Sequence, residues 1–513
     1  MHHVFKRILH SEEMIMGTET SFIDRIRMQV DKDRVEGGLY RPLSAEDVVQ
    51  IHEASMRVFE EIGVRVKNEE SLDLFAQAGA RIDGETSVVK MDEDLVLELI
   101  DRAPSMVHLY GQRPEHTLHV GGSHVYAGTG GTALYVLDPG TEERRRATLA
   151  DLKDIARVVD RMPNIDFFML PVFPSDVDEE NVDVNRFGAA LSYQGKHVTG
   201  GVYTAEGVRN VIRMAAMIAG SEKALREKPL VSFVTCCGIS PFVLDDLYSA
   251  LAMEVARAGL PVITPVEPLC GTTSPVTLAA NLVVQNVDTL AGVALTQLVN
   301  PGTPVMYGCI SSIADMKDLK YLSGAVEMGM MNAGASQLAR HYGLPIYATA
   351  GMSDSKTLDA QSGYESAITN LLVALAGGNY IHDAAGLMEF CMTASLEKYV
   401  MDDEILGMVM RAVRGIEVNE KTLAFDEMKK IGPGGHYVSS RHTRRFMRKE
   451  QFIPRLSDRK SRHEWNSEGS PGTRERARMR VEEILAGPAA ALPSPEVMER
   501  IRKEIPGIDA GVV

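Results

Sequence analysis

Cysteine is scarce in this chain. Five cysteines in 513 residues cannot make a disulfide scaffold, and so few thiols suit a reducing compartment. Positive charge is in deficit too: 54 Lys and Arg face 70 Asp and Glu, a formal net charge of −16. That balance argues against nonspecific nucleic-acid binding, because a phosphate backbone attracts the opposite sign. Aromatic residues are 6% of the chain, and the one tryptophan, Trp465, sits in the tail, away from any central binding cage. Long apolar runs are missing as well. The best candidate for a membrane span, Leu282 to Val299, is broken by Gln285, Asn286, Asp288 and Gln297 and reads as a buried helix. The opening Met1-His2-His3-Val4-Phe5-Lys6-Arg7 lacks the apolar core and small-residue cleavage site of a signal peptide. A soluble, cytoplasmic protein is expected, with neither membrane nor nucleic acid as partner.

What the chain does have is the balance of an ordinary globule, 45% hydrophobic and 24% charged, which sets aside wholesale disorder, collagen and coiled coil. Its length allows two to four domains or one large α/β barrel. Through the middle runs a regular beat: short β-branched apolar segments, each followed by a longer stretch of helical spacing. The predicted strands are His124–Thr129, Asp166–Val172, His197–Tyr203, Leu230–Cys236, Val262–Glu267, Pro304–Cys309, Pro345–Gly351 and Tyr380–Ala385. The predicted helices are 149–161, 183–193, 205–219, 243–258, 276–298, 322–342, 357–376 and 393–413. Eight alternating pairs favour parallel strands with crossover helices, and eight closes a TIM (β/α)8 barrel. A doubly wound open sheet is the competing architecture, but Gly128-Thr129-Gly130-Gly131 does not fit the GxGxxG phosphate turn.

The flanks read differently. Residues 1–122 form an N-terminal helical region, with helices expected at 44–62, 69–78 and 92–102; 123–413 form the barrel; 414–513 form an α-rich tail. The first helix opens on the capping signal Ser44-Ala45-Glu46-Asp47. Within the tail, 441–462 carries nine Lys and Arg against two acidic residues, against the trend of the chain. It reads as a solvated surface or as a docking face for an acidic partner.

In a barrel the C-terminal strand ends and the loops after them build the site. This sequence places there Thr235-Cys236-Cys237-Gly238, Glu267 and Cys270, Cys309-Ile310-Ser311-Ser312, the run Ala350 to Lys356 with Asp359, Gln361 and Glu365, then His382, Asp383 and Glu389. Cys236, Cys237, Cys270, Cys309 and Cys391 could gather zinc from separate strands, although CxxC spacing is absent and buried cysteine is commonly a small core residue. Lys356 could form an imine, but Asp354 and Asp359 beside it favour the protonated amine and a salt bridge. His382 next to Asp383 puts two polar groups on an apolar strand, either a satisfied core pair or a substrate-facing one. Tyr126, Phe173, Tyr203, Phe233, Tyr307, Tyr347 and Tyr380 lie on or near strands; most must fill the barrel, and a subset near the mouth could face a cation. The residues alone give a TIM-barrel enzyme with a mouth of carboxylate, histidine and aromatic groups, and they do not name the reaction.

Several spaced runs carry a resemblance: Ser274-Pro275-Val276-Thr277-Leu278-Ala279-Ala280, Tyr342-Gly343-Leu344-Pro345, and Gly351-Met352-Ser353-Asp354-Ser355-Lys356. With them go Asp359-Ala360-Gln361-Ser362-Gly363-Tyr364-Glu365, Gly386-Leu387-Met388-Glu389, Gly432-Pro433-Gly434-Gly435-His436-Tyr437 and His442-Thr443. Together they resemble the trimethylamine methyltransferase family, from about residue 40 into the tail and most strongly from 270 to 460. The resemblance implies a TIM barrel that passes a methyl group from an amine to a corrinoid protein. Its trimethylamine enzymes carry pyrrolysine late in the barrel, where this chain has Gly351 within a residue, so the resemblance points to the branch acting on quaternary, betaine-like amines. It implies no resident metal or permanently bound cofactor; the corrinoid comes with the partner protein, and homo-oligomers are left open.

Under that resemblance His382, Asp383 and Tyr347 stand at the reacting centre, Tyr347 and His382 shaping the pocket. Gly351, Asp354, Lys356, Gln361, Glu365 and Glu389 line or organise the substrate site, and the glycine-rich run ending in His436 could fold back over the mouth or form an ordinary turn. The alternatives are a zinc-thiolate methyltransferase and a barrel that only binds a quaternary amine or a corrinoid protein.

Overall fold

Eight short parallel strands close on themselves in the computed structural model, which describes residues 37–511 apart from 142, 491 and 510. The reading of the first seven residues lies outside the described residues. The barrel strands are β1 Tyr126–Thr129, β2 Phe167–Met169, β3 His197–Gly201, β4 Val231–Val234, β5 Val262–Thr264, β6 Val305–Gly308, β7 Ile346–Thr349 and β8 Tyr380–Ala385. Each pairs in parallel with the next, and β8 returns to β1. After them come α1 Leu149–Asp160, α2 Val182–Tyr193, α3 Ala205–Ala219, α4 Asp246–Arg257, α5 Leu278–Val299, α6 Val326–His341, α7 Ala360–Ala376 and α8 Leu396–Val413. The alternation read from the sequence is therefore a closed (β/α)8 barrel.

Helix α5 shows why the longest apolar run is interrupted. It is long and apolar enough to cross a membrane, yet most of it is buried in the protein. Its polar residues clamp the barrel wall. Gln285 Nε2 donates to the Gly308 carbonyl at 2.9 Å, and Thr289 Oγ1 donates to the Thr264 carbonyl at 2.7 Å. Tyr307 points outward from β6 and donates to Gln285 Oε1 at 2.9 Å and Asn286 Oδ1 at 2.8 Å. Buried polar groups persist only when paired, and these hold strand ends in place.

The two ends of the barrel differ. At the N-terminal end a hairpin, Met106–Tyr110 with Thr117–Gly121, packs Val107, Leu109, Leu118 and Val120 against the interior residues Phe167, Met169, Val234, Ile263, Met306, Tyr347 and Tyr380. The floor is closed by that apolar plug. At the other end the loops fold into small sheets: Leu269–Cys270, Ser312–Ala314 and Tyr321–Leu322 form one, and Leu387–Met388, Thr393–Ser395, Tyr135–Leu137 and Arg144–Arg146 form another. They raise a wall around the mouth.

Ahead of the barrel, helices Ala45–Arg57, Glu69–Gln77 and Glu93–Asp101 lie where expected, and the Ser44/Asp47 capping box is formed. Between them are strands the sequence reading did not place. Val64–Val66, Arg81–Asp83 and Val88–Lys90 join Gly238–Ile239 and Val243–Leu244, from the loop after β4, in one sheet. Three-residue strands carry almost no periodicity, and their partner lies far along the chain.

Candidate active site

Strand β8 departs from regular pairing where the chemistry gathers. Its register with β1 shifts between Ile381 and Ala385, and Asp383 has φ +58°. Side chains on a regular strand alternate between faces, so His382 and Asp383 would point apart. The bulge and the left-handed residue instead bring His382 Nε2 within 3.0 Å of Asp383 Oδ2, both side chains buried. Nδ1–H of His382 donates to the Ala348 carbonyl at 2.8 Å, and Nε2 also faces Thr349 Oγ1 at 2.8 Å. Asp383 Oδ1 accepts the Gly131 N–H at 3.1 Å. Gly130 makes room for this pair: a Cβ there would stand 2.5 Å from the Asp383 Cα.

Below the pair the interior is filled by stacked rings. Tyr347 stacks on His382 with centroids 3.9 Å apart at 14°, and Phe167 on Tyr380 at 3.5 Å and 11°. Tyr347 is fully buried, its hydroxyl 3.3 Å from Met169 Sδ. It supports the histidine from below as part of the barrel filling.

Above the pair, at the mouth, stands Glu267, three residues beyond β5. Protein encloses it on most sides while its side chain stays accessible to solvent, and it has no hydrogen-bond or ion-pair partner among the described residues. Burial, helped by the charge of Asp383, pushes its carboxyl up to about 7. Cys236, Tyr321 and Cys391 share its surroundings, since the Glu267 charge also acts on each. The result is an acidic recess with one unpaired carboxylate. Of the aromatic candidates, Phe173 and Tyr203 pair edge to face at 5.6 Å, but Arg186 already lies over both rings. Tyr126 belongs to the floor, accepting the His119 N–H at 3.2 Å. Tyr321, which the sequence reading passed over, is the ring beside the two acids.

The other expected residues form the frame. Asp354 Oδ1 accepts from Ser323 N at 2.8 Å and Oγ at 2.7 Å. Glu365 accepts from Ser353 Oγ at 2.6 Å, Asp354 N at 2.9 Å and Gln361 Nε2 at 2.9 Å, tying the loop after β7 to α7. Lys356 Nζ donates to the Asp354 carbonyl at 2.7 Å and lies 4.1 Å over the Phe390 ring, an engaged amine on the surface. Glu389 pairs with Arg144 at 2.7 Å and accepts from Thr393 Oγ1 at 2.6 Å, joining the loops after β8 and β1. Gly351 adopts φ +89°, and a Cβ there would meet the Ala384 backbone at 2.5 Å, so this position projects nothing into the recess. His436 is exposed in the tail.

Of the five thiols, Cys236 and Cys391 lie in the surroundings of Glu267. Burial pushes Cys236 and Cys237 up to about 12 and Cys309 up to about 11, and raises Cys270 and Cys391. Among the described residues no group of three or more His, Cys, Asp and Glu side chains is arranged around a common metal position.

Fold and site together define a (β/α)8 barrel with a closed apolar floor and an acidic recess at its mouth. Residues 21–506 match the family model described as "Trimethylamine methyltransferase (MTTB)". The chain is 37% identical over 453 residues to the trimethylamine methyltransferase MttB of Desulfitobacterium hafniense strain DSM 10664 / DCB-2, covering 88% of this chain and 91% of the relative. It is 32% identical over 467 residues to the glycine betaine methyltransferase of D. hafniense strain Y51, covering 90% and 96%. The trimethylamine methyltransferase MttB of Methanosarcina barkeri is 33% identical over 449 residues, covering 86% and 90%. This chain belongs to the trimethylamine methyltransferase family.

Proposed function

We propose that this protein takes a methyl group from a quaternary, betaine-like amine and delivers it to the reduced cobalt of a corrinoid protein. The observation that carries the reading is the recess itself: Glu267 and Asp383 converge there, and no described cationic side chain pairs with Glu267. A fixed positive charge on the ligand completes such a site. The likeness to a glycine betaine methyltransferase supports a quaternary substrate. So does Gly351, which carries no side chain where the resemblance puts pyrrolysine in trimethylamine enzymes.

The chemistry fits this arrangement of charge. The C–N bond breaks with its electron pair going to nitrogen, and a neutral tertiary amine leaves without needing a proton. The carbon–cobalt bond forms from the electron pair of reduced cobalt, so the corrinoid supplies the nucleophile. The barrel holds one N-methyl in line at its mouth. Because the charge on nitrogen fades as the bond breaks, full-strength carboxylates would stabilise the bound substrate more than the transition state. Here Asp383 divides its charge between His382 and the Gly131 N–H, and Glu267 titrates near neutrality. Reduced cobalt also suits the cytoplasm, where we place the reaction.

The test is product analysis under anaerobic conditions with a corrinoid protein and a single quaternary amine. Equal amounts of tertiary amine and methylated corrinoid are expected. Saturable amine binding without demethylated product, across corrinoid proteins and free cob(I)alamin, would sink the reading.

A further inference from the structure

Where the tail returns to the barrel lies a cavity of about 480 Å³, lined by helices and loops and by no barrel strand. Its walls come from three places. The turn after α1 gives Arg161, Met162 and Pro163, α8 gives Val400, Asp403 and Glu404, and the tail gives Arg455, Leu456 and the helix Thr473–Ala486. That helix docks through buried Ala477 and Val481, and Leu456 is buried too. Glu404 ties down the incoming chain, accepting from Arg455 N and Leu456 N at 2.6 Å and from Ser457 N at 2.5 Å.

The charges on these walls are not matched one to one. Glu404 is taken up by backbone N–H groups, and Asp403 accepts from Asn164 N at 2.7 Å and Nδ2 at 3.2 Å. Glu483 pairs with Arg480 at 2.6 Å. Arg476 is engaged as well, donating through Nε to the Leu456 carbonyl at 2.7 Å and through Nη1 to the Pro471 carbonyl. The side chains of Arg161 and Arg455 make no hydrogen bond or ion pair among the described residues; Arg455 acts on Asp403 through its charge alone. Each guanidinium offers five N–H donors in a planar fork that fits an oxyanion. Met162, Val400, Leu456 and Met479 make the rest of the wall apolar. Apolar walls with a few convergent polar groups, at this volume, are the form of a small-molecule site.

We infer that this cavity binds a small organic anion, an oxyanion head on a short apolar body, with the head held by Arg161 and Arg455 and the body on Met162, Leu456 and Met479. The unspent donors choose the sign of the ligand. The acids on the same walls have committed their oxygens to backbone donors, to Asn164 and to Arg480, whereas the two guanidiniums have not. The recess at the mouth has the opposite character, an unpaired carboxylate at Glu267, so one ligand does not suit both places. None of this depends on the reaction at the mouth. A ligand here bridges α1, α8 and the tail, and binding to the folded chain alone stabilises it by mass action.

Calorimetric titration of the full chain with hexanoate and with hexyl phosphate tests the inference, with hexanol as the neutral counterpart. At least one of the two anions is expected to saturate a single site per chain at millimolar concentration or below, and hexanol to bind at least about tenfold more weakly. Binding of hexanoate alone, or of hexyl phosphate alone, supports the site and fixes its head group. An Arg161→Gln/Arg455→Gln double variant should lose at least about tenfold in affinity for that anion. Both side chains are exposed, so the variant should melt at the wild-type Tm without ligand. Thermal melts give a second reading: the anion should raise the Tm of the wild type and leave that of the variant unmoved. No saturable anion binding, hexanol bound as tightly as the anions, or a variant that binds them as the wild type does would overturn the inference.

Discussion

His382 and Asp383 follow one another on β8, and their side chains meet, Nε2 to Oδ2 at 3.0 Å. Strand geometry alone would keep them apart; the register shift and the +58° φ of Asp383 turn the second residue back to the first. A non-glycine residue held in that region costs about 1–3 kcal/mol, which the surroundings must repay. Strand bulges that re-aim side chains are common beside active sites.

That arrangement depends on the residue opposite. Gly130→Ala would drive a methyl group against the Asp383 backbone at 2.5 Å, contact that a rotamer change cannot relieve. We expect a loss of about 1–3 kcal/mol in stability from overpacking. A drop of at least about tenfold in kcat/KM should accompany it, as Asp383 is displaced. Thermal melts and steady-state kinetics on one preparation check both; an active variant with an unchanged Tm would contradict the account.

Glu267 sets a pH dependence. Its carboxyl is pushed up to about 7, and a bound cation favours the ionised form. Affinity for a quaternary amine should therefore fall as pH drops below about 7, by up to about tenfold per pH unit if only the ionised form binds. Glu267→Gln should flatten that profile at the weaker level. Calorimetric titration across the pH range reads it directly, and a pH-independent wild-type affinity would count against the recess as the cation site.

Asp288 adds a dependence of stability on pH. Buried on α5, it accepts from Ser240 Oγ at 2.6 Å and Phe242 N at 2.8 Å in the loop after β4, and burial still pushes it up to about 7. A carboxyl raised in the folded state holds its proton more tightly than in the unfolded chain. Its stabilising share is full below the unfolded value near 3.8 and is lost as pH rises through about 7. Asp288→Asn should lose less stability than the wild type between those limits, as denaturant titration at several pH values would show.

Beneath the mouth a buried ion pair fixes the loop backbones. Lys398 Nζ lies 2.8 Å from Asp402 Oδ1 and donates to Ser366 Oγ at 2.7 Å, and Ser366 in turn donates to the Gly351 carbonyl at 2.6 Å. Lys398→Met would strand the Asp402 carboxylate and should cost about 3–5 kcal/mol. The double variant Lys398→Met/Asp402→Leu should recover much of that loss in chemical denaturation.

The architecture is legible because the barrel repeats one unit: each apolar run of six or seven residues and the helix after it write their periods locally. The polar breaks in α5 also read correctly as marks of a buried helix, although the carbonyls they clamp could not be named. The site was only partly legible. The sequence marks Glu267 as a strand-end acid, but its lack of a partner depends on the loops from β4, β6 and β8 that surround it. Asp354, Gln361 and Glu365 stand close together in the sequence, and only the structure shows Glu365 binding Gln361 and the Asp354 backbone. The contact of His382 with Asp383 follows from one backbone angle, which residue identity does not dictate.

The most direct test of the account is methyl transfer to cob(I)alamin, followed by its spectrum under anaerobic conditions, with quaternary amines compared one at a time against trimethylamine. The account predicts methylcobalamin from at least one quaternary amine and none from trimethylamine. Methylcobalamin from trimethylamine, with every quaternary amine inert, would contradict it.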